Sequence, residues 1–308
     1  MIRMPQSPKH SYVVITPARD EAEYLDNTIQ SMVSQTLRPS QWIIVNDGSS
    51  DATGDIIDRY AAQHEWITAV HLRGEERGGE AQGTEQGRGN RAVEAKEIKA
   101  FYRGFERVRN DEWEFVVKLD ADLGFAPDYF EKCLKEFDGD ERLGIGGGAI
   151  WNLVKGELAY EGAPAFHVRG ATKIYRRECW ESIGGVLPSA GWDTLDLVKA
   201  NMLGWSTRTF PQLRVVHYRY TGSANGAWKN AVKNGLWSYI AGYHPLFMLV
   251  RCANNLPQRP YLLGALGLLY GFTLGYTRRV QRIAEPRLIR YVRQQQIRRL
   301  SFRTSIWK

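Results

Sequence analysis

The sequence predicts an α/β fold in which a mostly parallel sheet carries helices on both faces. Apolar runs of strand length alternate with amphipathic helical patterns along the first part of the chain, an arrangement that produces parallel strands with crossover helices. Polar or acidic turns follow several of the predicted strands, and ligands of such sheets gather beyond the carboxyl ends of the strands. The 308 residues are enough for one large domain or two smaller ones.

The first two strand and helix units establish this pattern. Strand 11–17 is an apolar run that ends at a proline, and the segment after it has apolar residues at helical spacing. The second strand, 41–45, leads into a polar turn at 46–51, and a helix is predicted at 52–62. A third short strand follows at 67–72, as expected for a parallel sheet.

The turns after the first two strands exclude several nucleotide-binding classes. No G-x-G-x-x-G motif follows the first strand, which disfavours a dinucleotide or methyl-donor Rossmann site. The chain also has no Walker A sequence, so a P-loop NTPase is not expected. The acids and small polar groups at 16–21 and 46–51 suit a base and a ribose instead.

A polar segment separates these units from the next buried strand. Residues 74–90 are rich in Gly, Glu and Gln and predict a mobile surface loop. Helical periodicity resumes at 91–108 and leads to the apolar strand 115–119.

Two carboxylates, Asp120 and Asp122, follow strand 115–119, and a turn at 123–127 then leads the chain away. A strand that ends in a turn lets both acids converge on one point, where a hard divalent cation relieves their repulsion. Mg²⁺ takes its other ligands from water and substrate phosphates. The pattern therefore predicts a metal-diphosphate site, although a D-x-D string also fits an ordinary solvated strand end.

The next predicted elements bring two more candidate residues to the same region. A helix is predicted near 128–137, a glycine-rich strand at 143–150 and a further strand at 166–175. Asp193 begins a helix, either as a simple cap or as a reactive carboxylate at the ligand edge of the sheet. His217 lies near the end of the last predicted strand, 213–219, as a structural histidine or as a metal ligand.

The carboxyl-terminal third has a different composition. Residues 235–250 are aromatic and amphipathic, and the apolar segment 261–277 has 17 residues, fewer than the ~20 that a spanning helix needs. Residues 278–308 contain ten basic residues and the single acid Glu285, a net charge of +9 in a chain whose total is +7. These segments predict either an interfacial anchor on an anionic membrane surface or helices packed on the rest of the chain. Nucleic-acid binding is not expected, because no groove-reading motif accompanies the arginines.

Three widely spaced cysteines indicate neither a disulfide framework nor a zinc site, which fits a reducing compartment. The segment 1–10 has no apolar core of signal-peptide length, so we expect no secretion.

In their order and spacing, the motifs at 15–21, 46–51, 119–122 and 191–193 resemble glycosyltransferase family 2, with the GT-A fold. The resemblance covers about residues 11–220. It implies an inverting transferase that uses a nucleotide-diphosphate sugar donor and Mg²⁺ or Mn²⁺. The tail is similar to that of bacterial members that build exopolysaccharide or capsule repeat units, which implies a saccharide or lipid-linked acceptor and a cytoplasmic position at the inner face of the cell membrane.

The resemblance also implies roles for individual residues. Asp193 would be the catalytic base, with Asp196 as the second choice. The residues expected at the nucleotide are Thr16, Pro17, Arg19, Glu21, Asp47 and Asp120, and those expected at the metal are Asp120, Asp122 and His217. Trp192 stands where the family often has Glu, which makes it a candidate acceptor residue, and Lys199 falls on a position that is commonly basic.

The expected organisation is an amino-terminal extension at 1–10, a catalytic domain at 11–222 and a basic helical region at 223–308. Two other functions stay open at this point. A sugar-1-phosphate nucleotidyltransferase would need an early glycine-rich phosphate loop, which 16–24 lacks. A non-catalytic scaffold of a polysaccharide assembly complex is the other, and the full set of acids argues against it.

Overall fold

The computed structural model describes residues 10–73, 95–109, 112–219, 226–257 and 261–307. The predicted extension at 1–10, except for its last residue, and the predicted loop at 74–90 lie outside the described residues. The described strands are β1 (Tyr12–Ala18), β2 (Gln41–Asn46), β3 (Ile67–His71), β4 (Phe115–Leu119), β5 (Leu123–Phe125), β6 (Leu143–Val154), β7 (Glu157–Tyr160), β8 (Thr172–Arg176) and β9 (Ser206–His217). The described helices are α1 (Leu25–Val33), α2 (Thr53–Gln63), α3 (Lys96–Phe105), α4 (Tyr129–Asp138), α5 (Arg177–Ile183), α6 (Trp192–Met202), α7 (Ala227–Ile240), α8 (Pro245–Asn255), α9 (Leu263–Thr277) and α10 (Pro286–Leu300).

The nine described strands belong to one sheet, whose order is β3-β2-β1-β4-β8-β6-β9-β5, with β7 paired to β6. The first four strands in this order are parallel. Strand β8 is antiparallel to both β4 and β6, whereas β6 and β9 are parallel and β5 is antiparallel to β9. The α/β prediction is confirmed, although the sheet is mixed, with parallel pairing among the first four strands of this order and again between β6 and β9.

Helices cover both faces of the sheet, which explains why its central strands are almost continuously apolar. Side chains of β1 alternate between two buried clusters, with Tyr12 and Val14 in one and Val13 and Ile15 in the other. Because the carboxyl ends of the four parallel strands share one edge, the turns after β1, β2 and β4 lie together there.

Several predicted boundaries differ from those of the structure. The predicted turn at 123–127 contains β5, a three-residue strand that pairs with the end of β9. The predicted strand at 166–175 begins only at Thr172, since the main-chain oxygen of Phe166 accepts a hydrogen bond from the Thr207 hydroxyl instead of joining a ladder. The amphipathic segment 235–250 is divided between α7 and α8.

The carboxyl-terminal helices have their own apolar cluster, which includes residues of α6. Helices α7 and α9 approach so closely that a Cβ atom on Gly271 would lie 1.9 Å from the main-chain oxygen of Val232. Lys199 of α6 pairs with Glu285, just before α10, at 2.8 Å. Among the described helices, none is both long and apolar enough to cross a membrane.

Candidate active site

Three side chains at the edge of the sheet form a cluster with the donor types of a metal site. One ligand atom each from Asp120, Asp122 and His217 lies within 4.8 Å of the others. The pairing of β5 with β9 places Leu123 opposite His217, and His217 Nε2 is therefore 3.2 Å from Asp122 Oδ2. Two carboxylates and an imidazole suit Mn²⁺ or Mg²⁺, with room for phosphate oxygens as further ligands.

The turn that carries these acids is fixed by a buried threonine of α1. The hydroxyl of Thr28 donates to the main-chain oxygen of Ala121 and accepts from the amide of Leu123, each at 2.8 Å. The two bonds hold Asp122 between them. Although burial alone would lower the pKa of His217, its hydrogen bond to Asp122 and the charges of Asp122 and Asp120 raise that pKa overall.

A cavity of about 290 Å³ adjoins the cluster and contains most of the residues expected at the nucleotide. Its lining includes Pro17, Arg19, Glu21, Asp47, Asp120 and Asp122. Thr16 is not part of this lining. It is fully buried, and its hydroxyl accepts a hydrogen bond from Trp42 Nε1 at 2.9 Å, which gives it a packing role.

The first two polar turns hold each other by reciprocal hydrogen bonds. The carboxylate of Asp20, whose φ is 53°, accepts from the amide of Ser50 at 2.7 Å, and the amide of Asp20 donates to Ser49 Oγ at 3.0 Å. The hydroxyl of Ser50 also donates to Asp20 Oδ1, at 3.0 Å, and the two bonds from Ser50 lower the pKa of Asp20. The amide of Glu21 also donates to Thr53 Oγ1 at 2.8 Å. The turn after β1 is therefore fixed against the turn after β2.

Glu21 follows this turn and lines the same cavity as Asp120 and Asp122. Its carboxylate pairs with Arg219 at 2.7 Å. Burial raises the pKa of Glu21 to about 7, and the charge of Asp122 adds to the rise while Arg219 opposes it. The pKa of Glu21 therefore depends on the charges of Asp120 and Asp122.

Asp193 lines a second cavity, of about 460 Å³, in the first turn of α6. Gly191, with φ of 82°, turns the chain into this helix. The side chain of His167 lines the same cavity, and its Nε2 lies 3.0 Å from Thr194 Oγ1. Burial lowers the pKa of His167 to about 4, against the charge of Asp193, and the charges of Lys173 and Arg169 contribute to the lowering. The imidazole is therefore neutral near pH 7.

Comparison with known proteins gives one consistent result. Residues 13–87 match the model of the family described as glycosyl transferase family 2. The putative glycosyltransferase EpsH of Bacillus subtilis (strain 168) is 32% identical over 118 residues, which are 38% of this chain and 27% of the relative. The putative teichuronic acid biosynthesis glycosyltransferase TuaG of the same strain is 32% identical over 122 residues, 40% of each chain. The resemblance to glycosyltransferase family 2 is confirmed.

The matches span well under half of these two curated relatives. Solved structures support the fold over a longer range. One is the mannosyltransferase PcManGT from Pyrobaculum calidifontis in complex with GDP-Man and Mn²⁺, with a TM-score of 0.53 and 16% sequence identity. This match covers 97% of the present chain and 77% of the PcManGT chain. TarS 1–349 of S. aureus, in complex with UDP, has a TM-score of 0.51 at 14% identity and covers 87% of this chain and 72% of its own. The predicted GT-A fold is thus confirmed.

The second choice for a family 2 base, Asp196, is inaccessible. Its side chain is completely buried, and its two oxygens accept from Lys173 Nζ at 2.9 and 2.8 Å. One of them also accepts from the Tyr175 hydroxyl at 2.6 Å, and the other from the amide of Leu197 at 2.7 Å. A substrate hydroxyl has no access to this carboxylate, which argues against Asp196 as the base.

Trp192, which was expected to contact the acceptor, does not line the cavity that contains Asp193. Its side chain is buried and does not belong to the lining of the 460 Å³ cavity. The ammonium groups of Lys118 and Lys173 each lie 5.0 Å from its ring centroid. The position where family 2 often has Glu is therefore occupied by an aromatic side chain beside two buried cations.

Those lysines are functional candidates that the sequence analysis missed. Lys118 is on β4, shares a face with Asp120 and contacts its carboxylate, and it pairs with Glu97 at 3.1 Å. The charges of Asp120 and Glu97 outweigh its burial and raise the pKa of Lys118. Burial raises the pKa of Asp120 to about 6, against the attraction of Lys118. The position of Lys118 within an otherwise apolar strand could have identified it as a functional candidate from the sequence.

Proposed function

We propose that this chain is an inverting glycosyltransferase that moves a sugar from a nucleotide-diphosphate donor to a hydroxyl acceptor. The observation that carries the proposal is the pairing of two chemically different cavities. One contains the Asp120 and Asp122 carboxylates beside polar turns, and the other contains Asp193, whose neighbour Trp192 lies against Lys118 of the first cavity. A donor diphosphate and an acceptor hydroxyl would occupy these two cavities.

In this proposal Asp120, Asp122 and His217 hold Mg²⁺ or Mn²⁺. Their carboxylate and imidazole donors fit either ion. The cation would neutralise the charge that develops on the departing nucleoside diphosphate. The two solved structures of similar fold contain GDP-Man with Mn²⁺ and UDP, respectively, which supports a donor of this class.

The chain's own residues would perform the remaining steps. The nucleotide would be bordered by Pro17, Arg19, Glu21 and Asp47. The hydrogen bonds between the turns after β1 and β2 would limit its movement. Asp193 accepts the proton of the acceptor hydroxyl as that oxygen attacks the anomeric carbon. Attack from the face opposite the leaving diphosphate gives one displacement and therefore inversion.

We also propose that residues 11–222 form the catalytic domain and 223–308 a helical region that contacts an anionic membrane surface, at its cytoplasmic face. Support comes from apolar side chains on the outer faces of α8 and α9, among them Leu249 and Leu266, which are 53% exposed. The net charge of +9 in 278–308 favours anionic lipids. A lipid-linked saccharide would then meet Asp193 close to the membrane.

Hydrolysis of nucleotide sugars tests the function without knowledge of the acceptor. Wild type, Asp122→Ala and Asp55→Ala would be incubated with GDP-mannose, UDP-GlcNAc and UDP-glucose in Mn²⁺ or EDTA. Asp55 is an exposed carboxylate in the first turn of α2 and serves as the control. We expect slow, metal-dependent release of nucleoside diphosphate from one donor, lost in Asp122→Ala alone. The absence of both release and metal-dependent nucleotide binding would favour the scaffold function instead.

A further inference from the structure

The carboxyl-terminal helices close the cavity that contains Asp193. Helix α7 contributes Trp237 and Ser238 to the lining, and α8 contributes Phe247 and Arg251. Nothing in the sequence motifs of the first 220 residues indicates that this part of the chain reaches the site. The carboxyl-terminal helices therefore place polar and aromatic side chains in the same cavity as Asp193.

Arg251 is fixed in this wall by a hydrogen bond and has no ion-pair partner among the described residues. Its Nη1 donates to Ser238 Oγ at 3.1 Å, and that hydroxyl in turn donates to the main-chain oxygen of Asn234 at 2.8 Å. Within the described ranges, no carboxylate lies at ion-pair distance from Arg251. The other arginine of the lining, Arg169, pairs with Glu161 at 3.0 Å.

The same wall contains a group of aromatic rings. Tyr243, Phe247 and Trp307 have mutual ring-centroid distances of 6.0 to 6.2 Å, and all three line the cavity. Rings of this kind pack against the apolar faces of sugars or against hydrocarbon. The cavity thus combines a carboxylate, an aromatic surface and a guanidinium that no carboxylate of the described residues pairs with.

We propose that this cavity binds an acceptor with an anionic group, a phosphate or a carboxylate, and that Arg251 pairs with that group. The inference rests on the proposed function, because it assigns the cavity to the acceptor. This anion is distinct from the donor's diphosphate, which would occupy the other cavity. A cation held by Asp120, Asp122 and His217 would neutralise the diphosphate there. A guanidinium presents its donors in the fork geometry that phosphate and carboxylate match.

Two sources would supply such an anion: the phosphate of a lipid carrier or the carboxylate of an acidic sugar. Leu246, Leu249 and Val250 of the same helix are exposed, which brings Arg251 close to the surface proposed to meet lipid. With either source, binding of the acceptor depends on Arg251. Farnesyl phosphate and glucuronate as probes distinguish the two sources.

Binding in EDTA tests the inference independently of the metal. Isothermal titration of the full chain would use farnesyl phosphate, glucuronate and glucose as probes. We expect one of the anions to bind better than glucose, and Arg251→Gln to weaken it by about 10-fold or more. Arg251→Lys should retain part of the affinity. Arg208→Gln, which removes an exposed arginine paired with Glu136, should change nothing.

Preference for farnesyl phosphate would identify a lipid phosphate, and preference for glucuronate an acidic sugar. Equal anion affinity in wild type and Arg251→Gln, binding of glucose as tight as that of the anions, or no anion binding by wild type would each overturn the inference. Mn²⁺-dependent binding of nucleoside diphosphate, measured on the same preparations, reports on the proposed function separately. Loss of that binding would count against the glycosyltransferase assignment and not against the anion site.

Discussion

The ammonium of Lys173 lies 2.6 Å from the main-chain oxygen of Asp193. The same ammonium pairs with the buried Asp196, so one cation joins β8 to the first turn of α6. Burial lowers the pKa of Lys173 and raises that of Asp196, against the attraction between the two charges. The proposed base is thus positioned by an ion pair whose two side chains are fully buried.

Replacement of Lys173 by Met should be strongly destabilising. It leaves the Asp196 carboxylate buried without its cation, which costs about 3–5 kcal/mol in comparable pairs. The double variant Lys173→Met/Asp196→Leu removes both charges and should recover part of the loss. Urea unfolding would measure both. A single variant as stable as wild type would contradict the structural role given to the pair.

Replacement of Asp193 by Asn should lower turnover by a factor of ~10² or more, because the amide accepts no proton from the acceptor hydroxyl. Binding of the donor nucleotide should stay unchanged, since Asp193 does not line the first cavity. Donor and acceptor kinetics would be compared with those of Asp55→Asn as the matched control. Near-normal turnover in Asp193→Asn would reject the assignment.

The sequence predicted the parts of the site that depend on neighbouring residues in the chain. Asp120 and Asp122 were found because they directly follow an apolar strand. His217 was placed with less support, since it reaches Asp122 only through β5, a strand too short to predict.

Long-range packing accounts for what the sequence analysis missed. Lys118 was hidden in an apolar run, where its charge is compensated by Asp120 and by Glu97 of the preceding helix α3. Arg251 and Trp237 reach the cavity only because the tail helices pack on one another and on α6. Neither contact follows from local periodicity.

Two glycines of α9 should respond in opposite directions to the same substitution. A Cβ on Gly271 would lie 1.9 Å from the Val232 oxygen, so Gly271→Ala must separate α7 from α9 and should destabilise by about 2 kcal/mol. A Cβ on Gly264 would meet nothing within 4 Å, and Gly264→Ala should stabilise by up to about 1 kcal/mol. Thermal unfolding of the two variants would measure this. Equal effects would mean that the close packing of α7 and α9 is not maintained in solution.

The outer faces of α8 and α9 should govern membrane binding. Leu249→Asp and Leu266→Asp each place a charge on this surface, and together they should weaken liposome binding by about 10-fold or more. Binding should be stronger on vesicles with phosphatidylglycerol than on pure phosphatidylcholine, and should fall with salt. Leu203→Asp, at an exposed leucine after α6, is the control. Cosedimentation that is unaffected by the double variant would place any membrane contact elsewhere.

His167 should make the protein less stable in mild acid. Burial lowers its pKa from 6.5 to about 4 in the folded state, so the unfolded chain binds the proton more readily between these values. Stability attributable to the neutral imidazole is therefore complete above pH 6.5 and declines as pH falls, by about 2 kcal/mol at pH 5. His167→Gln has no group that titrates there, and its stability should depend less on pH across this interval. Urea unfolding of both proteins from pH 7 to pH 5 measures the difference, which isolates His167 from the other titrating groups. Parallel pH profiles for the two proteins would show that the buried imidazole does not resist protonation.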